Sequence, residues 1–272
     1  MLVNPANITE KKYKKLTVKV APGSMAFCSF DTLNQIPLAF REIAFDPSDK
    51  KTVVEYYADA FASHEELGDS YDEVVVLHDN NLATFVPAAL FDEDCLGNYL
   101  QFNNKVFETD SFAFDTLASY QMNTVYIPYA DINNFFVDTF GNFVYKHAHT
   151  ALVSKLLELS KNVDEKKMFV HMAAGHFEIV MVQNQHLLLF NSFDYKTPED
   201  LIYYLLFTAE QLNLNPETFR LEFLGDISQD DAFFAIAYKY IRNVSLFDTA
   251  DLEQKNALSA QDNRRHFILL QS

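Results

Sequence analysis

Two stretches of this chain, one opening at Leu16 and the other at Met168, repeat the same order of short β-rich segments, turns and helix start. A repeated supersecondary unit constrains the fold more than any single motif can. The first copy reads LTVKV, then Ala21-Pro22-Gly23-Ser24, then MAFCSFD, a short turn, and IPLAFREIAF. The second reads MFVHM, then Ala173-Ala174-Gly175-His176, then FEIVMVQ, an Asn184-Gln185 turn, and HLLLFNSF. Alternating apolar segments broken by turn residues predict an antiparallel meander in each copy. A helix follows each meander, over about Thr52–Ser63 and Pro198–Leu212. Each start offers a capping oxygen, a proline and an acid, at Asp46-Pro47-Ser48-Asp49 and at Thr197-Pro198-Glu199-Asp200. A strand then closes each unit, at Glu73–Leu77 and Leu221–Gly225. The expectation is an α/β chain with mixed sheets, built from two β-β-β-α-β units.

The remaining segments are assigned around that frame. Asp79–Phe114 reads as an insertion with a helix near Phe91–Phe102, giving an inserted subdomain over about residues 79–122. Thr124–Pro128 reads as a strand, Ala130–Phe140 and Val153–Leu159 as helices, and His266–Gln271 as a final strand after a polar tail. No linker rich in Pro, Gly or Ser divides the halves, so a first lobe over 1–160 and a second over 161–272 are expected.

Charge narrows the partners. With 38 acidic against 21 basic residues the formal charge is −17, which repels phosphate backbones and anionic lipid. Nucleic acid is therefore not expected as a partner. Met1–Thr9 lacks an apolar core, and no apolar run approaches the ~20 residues of a membrane span, which points to a cytoplasmic protein without direct membrane insertion. Cys28 and Cys95 are too few for a disulfide framework, and Cys28 in AFCSF reads as a small core residue. His171, His176 and Glu178 invite a metal reading, as do His147 and His149, but each set is incomplete and no metal site is assigned. Walker-type, GxGxxG, GxSxG and HExxH patterns are all absent.

The stretches NSFDYKTPEDLIYYLLFTAEQL, LEFLGDIS and VYIPYADINNFFVDTFGNFVYKHAHTALVSKLLEL resemble a Bacteroidetes domain-of-unknown-function family with an actin-like ATPase fold. The likeness runs from about Leu16 to Leu270 and places the chain in the actin, Hsp70 and sugar-kinase superfamily, with its two-lobed, ribonuclease-H-like architecture. It implies a nucleotide cleft served by the first hairpin of each half, where active members carry an aspartate for Mg²⁺, and by an adenosine loop. The matching positions here are Gly23 and Ser24, Gly175 and His176, and Gly225 and Asp226. Neither hairpin turn holds a carboxylate, and Pro22 removes a backbone donor. The expectation is thus a degenerate nucleotide site with no catalytic residues and no bound cofactor, in a scaffold or adaptor that takes a protein or peptide partner. Actin-like components of type IV pilus and type II secretion systems offer a fold-level analogy for that role. The alternative is an ATPase or kinase that binds ATP with Ser24 and His176 near phosphate and Asp226 near adenosine. Phe61, Phe85, Phe91, Phe102, Phe107, Phe112 and Phe114 form either a small satellite core or an aromatic docking groove.

Overall fold

The structure, a computed structural model, describes residues 11–34, 36–256 and 258–272, so the leader expectation for Met1–Thr9 lies outside the described residues. In chain order the elements are β1 (Lys14–Ala21), β2 (Ser24–Asp31), β3 (Ile36–Ala44), α1 (Val53–Ser63), β4 (Glu73–His78), β5 (Ala83–Pro87) and α2 (Leu96–Leu100). Next come β6 (Ala113–Leu117), β7 (Met122–Tyr126), α3 (Ala130–Phe140), β8 (Val144–His147), α4 (Ala148–Leu159), β9 (Lys167–Met172), β10 (His176–Gln183) and β11 (His186–Asp194). The chain closes with α5 (Pro198–Gln211), β12 (Arg220–Gly225), α6 (Ala232–Tyr240), β13 (Asn243–Leu246), α7 (Ala250–Asn256), α8 (Ala260–Arg265) and α9 (Phe267–Leu270).

Two five-stranded sheets share one topology, β3-β2-β1-β4-β8 and β11-β10-β9-β12-β13. In both, the first three strands form an antiparallel meander, and the strand after the helix returns parallel to the first. The duplication also extends further than the sequence pattern showed, because each unit goes on into a second helix and a fifth strand. Even an irregularity is shared. Ser29 pairs with Ala39 and Phe30 with Pro37, which leaves Leu38 as an extra residue. Met181 pairs with Leu189 and Val182 with Leu187, which leaves Leu188 as its counterpart.

The chain divides into two compact units, one within Met1–His78 and Tyr129–Lys146, the other within Asp79–Pro128 and His147–Ser272. The inserted segment and α4 therefore belong with the second sheet. In the first unit, Leu16, Val18, Val20, Met25 and Phe27 point from the sheet onto α1 and α3. Tyr57, Ala60 and Phe61 on α1, and Ile132, Phe136 and Phe140 on α3, recur at helical spacing, and their rings pack edge to face. His78 ties β4 to α3. Its Nδ1 accepts from the Tyr129 amide at 3.2 Å, so Nε2 carries the proton and donates to Asn133 Oδ1 at 2.9 Å. Burial pushes its pKa down to about 4, against the opposing pull of Asn133, and the imidazole is neutral at neutral pH.

In the second unit Phe177, Ile179 and Met181 of β10 pack with Leu201 and Leu205 of α5 and Phe223 of β12. The opposite face of β10 lies against α4. The inserted strands form a separate sheet, β5-β7-β6, over a small core of Val86, Leu100, Val125 and Ile127. Phe91, Phe112 and Phe114 pack into that core, whereas Phe102 and Phe107 stay exposed.

Two sequence expectations are corrected. Asp46-Pro47-Ser48-Asp49 does not cap α1 but forms a turn closed by the Asp49 amide on the Asp46 carbonyl at 3.1 Å. The cap is Thr52, in a reciprocal capping box with Glu55 that matches Thr197 with Asp200 at the start of α5. The apolar run at the C-terminus is the helix α9, not a strand. Its four residues are consecutive and all buried, with no polar alternation to present to solvent, and they pack on α4.

Candidate functional site

Each sheet has a hairpin turn at the position implied for a phosphate loop, and the two are built alike. In the first, Gly23 O accepts from the Phe45 amide at 2.9 Å, and the Tyr57 hydroxyl donates to Ala21 O at 3.1 Å. In the second, Gly175 O accepts from the Tyr195 amide at 3.0 Å, and the Tyr195 hydroxyl donates to Ala173 O at 2.9 Å. Gly23 has ordinary φ, whereas Gly175 sits at φ +83°. Ser24 and His176 are the first residues of β2 and β10. Neither turn contains a carboxylate.

The second unit brings Gly175, His176, Gly225 and Asp226 to the same end of its sheet. Gly225 ends β12 opposite Met172 of β9, at φ +84°, and the Asp226 amide donates to Met172 O at 2.9 Å. A side-chain carbon on Gly225 would lie 2.0 Å from that carbonyl oxygen, so only glycine fits. The Asp226 carboxylate is exposed, with Arg265 Nε 3.9 Å away. Gly23 and Ser24 belong to the first unit.

Beneath the second turn lies a buried ionic cluster that the sequence only half revealed. β9 and β10 pair so that His171 stands across from Glu178, and His171 Nδ1 meets Glu178 Oε2 at 2.8 Å. His176 Nε2 and His149 Nε2 approach the other oxygen, Oε1, at 3.1 and 3.3 Å. Those two approaches are close but not aligned as hydrogen bonds. Burial pushes the Glu178 carboxyl up, but the three imidazoles outweigh it and hold it well below the usual carboxylate range. Burial likewise works against the His176 imidazolium, yet Glu178 and Asp79 together raise its pKa.

His149 enters from α4, which no local pattern linked to the hairpin. His147, expected to share its direction, does a different job. It caps α4 by accepting from the His149 amide at 3.1 Å through Nδ1, so Nε2 carries the proton toward Asn80 Oδ1 at 3.3 Å. Asp115 anchors the same helix start, accepting from the His147 amide at 2.8 Å and the Thr150 hydroxyl at 2.6 Å. Among the described residues no group of three or more His, Cys, Asp or Glu is arranged to hold a metal ion. Nor, among them, is any helix long and apolar enough to cross a membrane.

Comparison with solved structures agrees with this architecture. A Bacteroides thetaiotaomicron protein with an actin-like ATPase fold and unknown function superposes with a TM-score of 0.80 at 21% identity, covering 91% of this chain and 97% of that one. The PilM–PilN type IV pilus biogenesis complex gives 0.57 at 11% identity, over 94% and 96%. The ethanolamine utilization protein EutJ from Carboxydothermus hydrogenoformans gives 0.51 at 10% identity, over 95% and 90%. No curated protein matches the chain. The fold is actin-like, and the likeness at these identities reaches no further than the fold. The family model described as Protein of unknown function (DUF3822) matches residues 4–244, and the chain belongs to that family.

Proposed function

We propose that this protein is a catalytically degenerate actin-like scaffold or adaptor that binds a protein partner rather than turning over ATP. One observation carries the reading: both phosphate-loop positions lack a carboxylate, and Glu178, two residues beyond the second turn, faces His149, His171 and His176. A carboxylate buried among three imidazoles is shut away from Mg²⁺ and its waters, which a phosphoryl-transfer site of this fold requires a carboxylate to reach. The net charge of −17 adds a long-range penalty for a polyphosphate. That a PilM–PilN complex shares the fold is consistent with work inside a protein assembly. Purified protein given Mg-ATP is expected to release no phosphate above the protein-free rate. Release that scales with protein concentration and disappears in His176→Ala would overturn the proposal.

A further inference from the structure

Among the described residues β5 and β11 are both outer strands, each paired on one side only. Within the second unit they border the same groove without pairing, touching where the Phe85 and Phe190 rings meet edge to face, their centroids 4.8 Å apart. The groove has two adjoining hollows of about 330 and 450 Å³, and Thr84 and Phe190 line both. One hollow is the more apolar, walled by Phe85, Pro87 and Met122 against Leu187 and Leu189, with Gln121 and Gln185 also in its lining. The other is polar, walled by Asn81, Asn103 and Asn104 against Asn191, Ser192 and Asp194. Pro87 lies at the His186 end and Asn81 at the Asp194 end, so the two strands run in opposite directions along it.

Two features point to what fills such a slot. A free strand edge presents a row of unpaired amides and carbonyls that only another extended backbone satisfies along its length. In the polar hollow, Asn81 Oδ1 and Ser192 Oγ are buried and make no hydrogen bond, a costly state that rotation of these side chains toward an incoming N–H donor relieves. The apolar hollow takes bulky side chains, and the chain's acidity together with Asp194 disfavours an acidic occupant.

We infer that the groove between β5 and β11 is the docking site for an extended, neutral-to-basic segment of a partner protein. Bulky apolar residues at alternate positions occupy the Leu187–Leu189 end, and backbone or amide donors reach Asn81 and Ser192. The inference rests on the adaptor reading and gives it a place and a peptide chemistry.

The test is selection of a phage-displayed random peptide library on the intact protein, followed by hydrogen exchange with a synthetic copy of the enriched peptide. Enriched peptides are expected to carry alternate bulky apolar residues without acids, and to protect amides in 83–87 and 186–194. Leu188→Asp, at a half-exposed apolar lining residue, is expected to weaken binding at least about tenfold. Asn191→Arg, on an exposed residue that leaves folding intact, is expected to do the same from the polar end. No enrichment, or binding that leaves those amides unprotected and survives both substitutions, overturns the inference. So does protection of the same amides in the protein alone as it dimerises, which assigns the groove to a second copy. Peptides bound elsewhere sink the groove and leave the adaptor reading, whereas ATP turnover beside groove binding does the reverse.

Discussion

Gly225→Ala is expected to lower the melting temperature by roughly 10 °C, while the same change at Gly175 costs far less and at Gly23 almost nothing. Gly23 and Gly175 occupy corresponding turns of the two units, Gly225 ends β12 where the first unit has His78, and the three differ in backbone and surroundings. Gly23 has ordinary φ, and an added carbon there meets no atom within 4 Å, so the effect stays within about 0.5 kcal/mol. Gly175 has equally open surroundings but φ +83°, which costs a residue with a side chain about 1–2 kcal/mol. Gly225 has φ +84° and, in addition, a carbon placed 2.0 Å from Met172 O and 2.7 Å from Met172 N. Relief requires β12 to move off β9, breaking the Asp226–Met172 hydrogen bond, for a total of about 4 kcal/mol. Thermal melts of the three variants check the order. Equal losses at Gly175 and Gly225 would contradict the close approach of the two strands.

Glu178→Gln is expected to destabilise the protein by about 3 kcal/mol, with a pH dependence that identifies the cause. The side chain is almost fully buried, and the substitution keeps its shape while removing the charge that three imidazoles face. The sign follows from the two shifts. The Glu178 carboxyl is depressed in the fold, so its contribution is present above its ordinary value of 4.5 and fades as pH falls through the folded value. His176 is raised, so its contribution is complete below 6.5 and fades as pH rises through the folded value. The gap in melting temperature between wild type and variant is therefore widest between those two values and narrows as pH rises through the raised His176 value or falls through the depressed Glu178 value. A gap of constant size across that range would show that Glu178 acts through packing alone.

Much of the fold was legible because its signals are local. Alternation in LTVKV and MFVHM, the Asn184-Gln185 turn with both residues at positive φ, and the Thr197-Pro198-Glu199-Asp200 start all act within a few residues. The first helix start misled because Asp46-Pro47 satisfies turn chemistry equally well, and the choice of Thr52 depends on Glu55 reaching back to it. The shared extra residue at Leu38 and Leu188 left no mark in composition, since a bulge is a property of pairing.

The site was legible only in part. A tight turn at Ala174-Gly175 already implies that His171 stands opposite Glu178. His149 arrives from a helix earlier in the chain, so its role depends on how α4 packs on β10. The repeat makes the divergence clear. Ser24 and His176 open equivalent strands, so Glu178 stands where the first copy has Ala26, paired with Lys19. The second copy thus carries a carboxylate near its turn where the first has none, and surrounds it with imidazoles.

Thermal unfolding with and without Mg-ATP tests the degenerate site most directly. A site with micromolar affinity would add about 4 kcal/mol of stability at millimolar nucleotide, a rise of many degrees for a chain this size. A degenerate site gives no saturable change in melting temperature with Mg-ATP. A saturating rise that reaches one nucleotide bound per chain would contradict it.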